Sequence, residues 1–323
     1  MKIDPIRDLI DKNLLEELHA GSLYQEIINS QTFERLKDIR FLGAIDYLYK
    51  KNKHKTHSRY THTLSVATLA LKYSQLSKLK FNDEKYLVCA ALLHDIGHAP
   101  LSHSMEPAFK KRFGISHHSA SNSIIQGTSP LGKEIASILK KYQIDIGKLI
   151  GLLDNKSQEK YAVALSGSIN VDTIDGIIRT HSYLRNEEKY SNIPKAVHIV
   201  EELFGKPKRY GAIDKFWGLK DGIYRDIINK KINIYADNVT QKHVLSNQNV
   251  FVDEFYWTEV KFKEKYTFLF EELSAIRLKN IPAEALNYNK RSYTIDGRCS
   301  DIGKKYLHEK TPSVFSFNQP GLC

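Results

Sequence analysis

The chain has 323 residues, of which 41% are hydrophobic and 26% charged, proportions ordinary for a soluble globular protein of one large domain or a core with an appendage. No run approaches the roughly 18 apolar residues of a membrane span. The opening MKIDPIRDLIDKN lacks the apolar core of a secretion signal, and three scattered cysteines (Cys89, Cys299, Cys323) exclude a disulfide framework or a zinc ribbon.

A cytoplasmic, reduced protein without a membrane partner is therefore expected. Its net charge of +11 would favour phosphate-bearing partners, whether mononucleotides or nucleic acid, unless the lysines serve solubility alone.

In chain order, Asp8 to Leu18 has amphipathic helical spacing, which His19-Ala20-Gly21 interrupts. Phe33, Leu36, Ile39, Phe41 and Leu42 share one face of a helix predicted over Thr32–Leu42 and closed by Gly43. Residues 50–60, KKNKHKTHSRY, read as a basic loop in which His54 and His57 are solvated. A buried helix follows from Arg59 to Leu76, with His62 in its first turn. Asn82-Asp83 offers a cap for the next helix, whose run Tyr86–Leu93 is wholly apolar or aromatic and ends in His94-Asp95. Gly97 and Pro100 then break the helix. Shorter helices are expected over 104–165. Asn170–Leu184 is an apolar helix carrying Asp172 and Asp175, three apart on one face, and at least one of them needs a cationic partner.

Beyond about residue 190 the character changes. Ile193-Pro194 and Gly205–Gly211 read as connections, Asp214–Asn238 as a helical span, and Ala283–Arg298 as a small β element around the turn Asp296-Gly297. The expected architecture is mainly α, with a core over 1–190 and an accessory region over 191–323 that adds helices and a little β.

The chemistry concentrates in one stretch. Of 13 histidines, eight (His54, His57, His62, His94, His98, His103, His117 and His118) fall between residues 54 and 118. One His or Asp after an apolar helix is more often a cap, but this density argues for a site. A carboxylate at the end of a buried helix is costly unless a cation or a hydrogen-bond network compensates it. His62, His94, Asp95 and Asp172, from three predicted helices, form a candidate metal set. Two imidazoles and two carboxylates suit Mn²⁺, Fe²⁺, Ni²⁺, Co²⁺ or Zn²⁺ better than Ca²⁺. A site with open positions would serve phosphoester hydrolysis near neutral pH.

His62…His94-Asp95…Asp172 is similar to the H…HD…D signature of the HD-domain phosphohydrolases. TFERLKDIRFLG, HSRYTHTLSV, LLHDIGHAPLSH, SHHSAS and NVDTIDGIIRTH each resemble a block of that superfamily's dNTP triphosphohydrolases, the bacterial dGTPases and the mammalian sterile-alpha-motif/HD restriction factor. The blocks keep the family's order over about residues 20–185, with a weaker likeness in GIYRDIINKK. The resemblance implies metal ligands at His62, His94, Asp95 and Asp172. It implies His98 and His103 beside the scissile phosphate, Glu106 assisting there, and His117 as general acid toward the leaving oxygen. Arg59 and Lys230 become substrate contacts, and His118 stands where an acid is usual. A nucleotide substrate, Mg²⁺ accompanying its phosphates and a homo-oligomer are further implications.

The departures concern the sugar and part of the triphosphate. Phe41 stands where the relatives carry a sugar-reading glutamine, Gly176 where a tyrosine packs on deoxyribose, and Thr173 where a lysine follows the last metal aspartate. Loss of a buried hydrogen-bonding partner weakens discrimination. The leading expectation is a metal-dependent phosphohydrolase acting on nucleotides, dNTP triphosphohydrolase-like. One alternative is a metal-dependent nuclease or phosphodiesterase on single-stranded nucleic acid or a cyclic nucleotide. A non-catalytic nucleotide sensor is the other, although a sensor has no need of His98, His103 and His117 together.

Overall fold

A computed structural model describes residues 9–48, 57–184 and 193–278, together with 291, 293–295, 298, 300 and 304. Among these residues stand sixteen α-helices linked by short 3-10 and π turns, and the β structure is one antiparallel bridge between Arg40 and Ser58.

The Arg59–Ser77 helix is the centre of the molecule. Ser58 starts it, its hydroxyl accepting from the Thr61 amide, and Lys78 ends it in the left-handed region at φ 49°. Thirteen of its 19 residues are buried, so it is enclosed rather than amphipathic. The Lys12–Ala20, Phe81–Leu93, Val171–Leu184 and Ala196–Phe204 helices pack around it. Every residue of Tyr86–Leu93 is buried, as the unbroken apolar run requires.

The apolar core forms two clusters. One runs through these helices and takes in Ile213, Phe216 and Trp217 from the Gly211–Ile223 helix. The other joins Ala44, Leu48, Leu101, Met105 and Phe109 to Val244, Phe255, Phe262, Phe270 and Leu273. Each fully buried aliphatic or aromatic side chain of this kind contributes roughly 1.5–3 kcal/mol. The chain between Leu93 and Met105 crosses from the first cluster (Leu93, Ile96) to the second (Ala99, Leu101, Met105). All the histidines of the apolar-run motif lie on that crossing.

The helix predicted over Thr32–Leu42 stops early. Gln31–Glu34 is α and Arg35–Asp38 a 3-10 turn, after which Ile39 is extended. The cause is non-local: Arg59 donates its amide to Ile39 at 2.8 Å, and Phe41 donates to His57 at 3.0 Å. His57 is correspondingly buried, not solvated. The Phe81–Leu93 helix begins before Asn82-Asp83, leaving Asp83 and Glu84 in its first turn beside the helix dipole. The span from Asp214 divides into Gly211–Ile223, a π turn Tyr224–Ile228 and Lys231–Ser246.

His54 and most of Ala283–Arg298, including Tyr288 and Asp296-Gly297, lie outside the described residues. Arg291, Tyr293, Thr294, Ile295 and Arg298 are described and form no strand.

Candidate metal and catalytic site

His62, His94, Asp95 and Asp172 come together from two helices and the turn that ends a third. His62 Nε2 lies 3.0 Å from Asp172 Oδ1 and 3.5 Å from Asp95 Oδ2, and His94 Nε2 lies 3.5 Å from Asp95 Oδ1 and 3.8 Å from Asp172 Oδ1. The opposite ring nitrogens are engaged as donors. His62 Nδ1 donates to Asp175 Oδ2 at 2.6 Å and His94 Nδ1 donates to the Ala91 carbonyl at 2.8 Å. Carboxylate and carbonyl oxygens can only accept, so in the neutral form that binds a metal both imidazoles present Nε2 as a lone pair. Both Nε2 atoms are buried and have no hydrogen-bond partner. Two inward lone pairs beside two carboxylates fit a divalent cation, and the outer hydrogen bonds are the kind that orient metal-binding histidines.

Asp175 is therefore a support, not a ligand. Arg179 grips it with Nε to Oδ2 at 2.7 Å and Nη2 to Oδ1 at 3.0 Å, which is the cationic partner the helix required. Burial would raise the Asp175 pKa, but Arg179 and His62 hold it well below the usual carboxylate range. Burial likewise lowers that of His62, and in the metal-free site the Asp172 and Asp175 carboxylates, one facing each ring nitrogen, reverse this and push it up to about 9. Asp95 is fixed by Arg59, whose Nη1 donates to Oδ2 at 2.7 Å.

A second group adjoins the first. Glu106 accepts from His103 Nδ1 at 3.0 Å through one oxygen, and from His117 Nδ1 at 2.6 Å and the His117 amide at 3.0 Å through the other. Burial works to raise the Glu106 pKa, but the two histidine hydrogen bonds outweigh it and keep the group an anion. His98 is fully buried, its ring stacked on His117 at 4.4 Å and its Nε2 3.1 Å from Asp95 Oδ1. Desolvation and the nearby Arg59 hold its pKa well below the ordinary value. His103 is lowered to about 4, first by desolvation, with Arg59, His117 and Arg291 opposing its protonation. His118 packs against His117 with ring centres 4.0 Å apart, outside this hydrogen-bonded set.

The backbone that carries these groups is tightly specified. A Cβ on Gly97 would stand 2.4 Å from the His117 carbonyl oxygen and 2.4 Å from the Ser121 amide nitrogen, so glycine lets the His117–Ile125 helix approach. Leu101 and Ser102, just before His103, both have positive φ (56° and 47°), a strain of about 1–3 kcal/mol each for non-glycine residues. Arg59 Nε holds the Ser102 hydroxyl at 3.0 Å, and buried Glu259 accepts the Leu101 amide at 3.1 Å. Arg35 donates to the Ile96 and His98 carbonyls at 2.9 and 2.8 Å.

A cavity of about 180 Å³ opens beside both groups. Asp172, half exposed at 51%, faces it with His103, Thr173, Arg59 and Arg291, while Phe41, Ile45, Ile177 and Tyr224 give it apolar walls. Phe41 and Gly176 are neighbours there: a Cβ on Gly176 would meet only Phe41 Cζ, at 3.7 Å. Phe41 also packs on His62, ring centres 4.7 Å apart. Lys230 is exposed before the Lys231–Ser246 helix and does not line the cavity. Arg291, Tyr224 and Arg35 are residues of the site that sequence pattern alone does not single out. Arg35 lies inside the TFERLKDIRFLG block, whereas nothing in the sequence pairs Arg291 with residues more than a hundred positions away.

Residues 59–208 match the family model of the HD domain. The uncharacterized MG461 homolog of Mycoplasma pneumoniae is 29% identical over 224 residues, covering 62% of this chain and 51% of that protein. The protein named deoxynucleoside triphosphate triphosphohydrolase SAMHD1 homolog of Dictyostelium discoideum is 31% identical over 88 residues, 25% of this chain and 16% of its own length. This chain thus spans about half, or less, of the curated relatives it matches. A crystal structure of a phosphohydrolase from Bacteroides thetaiotaomicron shares the fold with a TM-score of 0.57 at 19% identity, covering 82% of this chain and 66% of that one. Over residues 59–208 this chain thus carries the HD domain that its His62, His94-Asp95 and Asp172 pattern resembles.

Proposed function

We propose that the protein is a metal-dependent phosphohydrolase acting on nucleotides, with dNTP triphosphohydrolysis as its leading reaction. The observation that carries this reading is the pair of orphaned buried nitrogens, His62 Nε2 and His94 Nε2, facing Asp95 and Asp172 beside a carboxylate-bound histidine pair. The four residues would hold the divalent ion, which supplies Lewis acidity toward a phosphoryl oxygen and a nucleophile at neutral pH. Glu106 fixes the tautomers of His103 and His117, leaving their Nε2 atoms for the reacting oxygens. His117 is the general acid toward the leaving oxygen. His98, buried and held neutral, lies beside the phosphate.

Screening dNTPs, NTPs, cyclic nucleotides and short single strands with Mn²⁺, with product analysis, tests the reading. Release of tripolyphosphate and a nucleoside is expected. Turnover of none of these substrates by metal-loaded protein would remove it.

One observation favours the polynucleotide-directed alternative. Phe41 offers no hydrogen bond to a 3′-hydroxyl, and Gly176 leaves space beside it where an aromatic ring would crowd a 2′-hydroxyl. The dNTP over rNTP preference in kcat/KM should therefore be less than about 10³-fold, and a 3′-blocked analogue should be accepted. A larger preference would mean that other residues read the sugar.

A further inference from the structure

Two arginines line the cavity, and their nitrogens are used differently. Arg59 is buried and each of its nitrogens already donates: Nε to Ser102 Oγ, Nη1 to Asp95 Oδ2 and Nη2 to the Phe41 carbonyl, at 3.0, 2.7 and 3.0 Å. It is committed to holding the metal-site carboxylate. The side chain of Arg291 is 35% exposed, and one of its nitrogens is engaged, Nη2 to Asp237 Oδ2 at 2.7 Å. Its Nε and Nη1 have no partner among the described residues.

Arg291 is also held in place from several sides. Its amide donates to Asn229 Oδ1 at 2.8 Å, and Asn229 Nδ2 donates back to its carbonyl at 3.0 Å. Two residues on, Tyr293 stacks on Tyr224 with ring centres 4.5 Å apart and donates its hydroxyl to Asp221 at 2.7 Å. Trp217 Nε1 donates to the Arg298 carbonyl at 3.0 Å. Asp237, the side-chain partner of Arg291, accepts from Ser104 Oγ at 2.6 Å, and Ser104 follows His103 directly. The guanidinium is thus preorganised at the cavity wall and tied to the loop that carries the catalytic histidine.

We propose that Arg291 binds a phosphate group of the substrate, so that a residue far along the chain completes a cavity whose other charged groups, Arg59 and Asp172, come before residue 185. The inference rests on the nucleotide reading above. Apart from His103, Arg59 and Arg291 supply the cationic groups of the cavity lining, since Thr173 is neutral and Lys230 lies outside it. A planar guanidinium with open donors suits a phosphate better than a lone ammonium would.

The experiment compares wild type, Arg291→Gln and Arg291→Lys, each metal-loaded, in equilibrium binding of inorganic tripolyphosphate and in nucleotide kinetics. Arg291→Gln should weaken tripolyphosphate binding about 10- to 100-fold, the range for loss of charge-assisted hydrogen bonds, and raise KM more than it lowers kcat. Arg291→Lys, which keeps the charge and loses the fork, should bind several-fold more weakly than wild type. If Arg291→Gln is not recovered folded, Arg291→Lys decides alone. Wild-type affinity in the folded variants would overturn the proposal. A protein that hydrolyses no nucleotide, yet needs Arg291 to bind tripolyphosphate, would retire the hydrolase reading and leave this one standing. Nucleotide hydrolysis with unchanged binding in the variants would do the reverse.

Discussion

The two histidine groups of the site use the same device to different ends. In each, two imidazoles donate Nδ1 to an oxygen behind them and turn Nε2 forward. What differs is where the carboxylates stand. Asp95 and Asp172 lie in front of His62 and His94, within 3.0–3.8 Å of the forward nitrogens, and create a negative focus for a cation. Glu106 lies behind His103 and His117, where it orients the rings and stabilises positive charge on them. Carboxylate position, more than histidine count, separates a metal site from a proton-handling one.

Breaking the front group should have the largest effect. His94→Ala removes a forward lone pair while Asp95 keeps Arg59 paired, so bound transition metal and turnover should both fall to background without unfolding. Metal analysis and circular dichroism check this, and full metal content in the variant would move the site elsewhere. Breaking the rear group should leave the metal in place. His117→Ala should lower turnover by about 10²–10⁴-fold at unchanged metal content, measured by steady-state kinetics on the loaded enzyme. Loss of metal together with rate would erase the distinction between the groups.

A smaller effect is expected from the support of His62. Asp175→Asn should weaken metal binding about 10- to 100-fold in chelator competition, because the ring loses its anionic anchor.

The comparison can also be sharpened by pH. In metal-free protein the His62 pKa of about 9 exceeds its unfolded value near 6.5, so its stabilisation is complete below pH ~6.5 and is lost as pH rises through 9. His103, lowered to about 4, has the opposite sign: its contribution holds above pH ~6.5 and is lost on acidification toward 4. Thermal unfolding across pH should show both limbs after chelation, and metal loading should abolish the alkaline limb alone. An alkaline limb that survives loading would assign it to another group.

Much of this site was legible in the sequence because its parts are local. The apolar run Tyr86–Leu93 announces burial, and an adjacent His-Asp at its end announces compensation nearby. Asp175 and Arg179 are one helical turn apart, close enough for their pairing to be read as an i, i+4 contact. What escaped was non-local. The break after Asp38 depends on backbone hydrogen bonds to His57 and Arg59, which no helical periodicity records. Arg291 reaches the cavity through Asn229 and Asp237, polar residues whose spacing carries no pattern. The Tyr224–Ile228 π turn sits inside what reads as one continuous helix.

Gly97 sets the distance between the two groups, and this has a consequence for how the protein can vary. The two atoms that a side chain there would strike hardest belong to the main chain of the His117–Ile125 helix, at His117 and Ser121. Trimming a neighbouring side chain therefore cannot create room. The whole helix would have to retreat, drawing His117 away from Glu106. In a saturation library, position 97 should tolerate glycine alone, and its failures should resist rescue by any second substitution nearby. The spacing of the two groups would then pass through the lineage as a fixed inheritance, while the cavity-lining positions 41 and 176 stay free to drift.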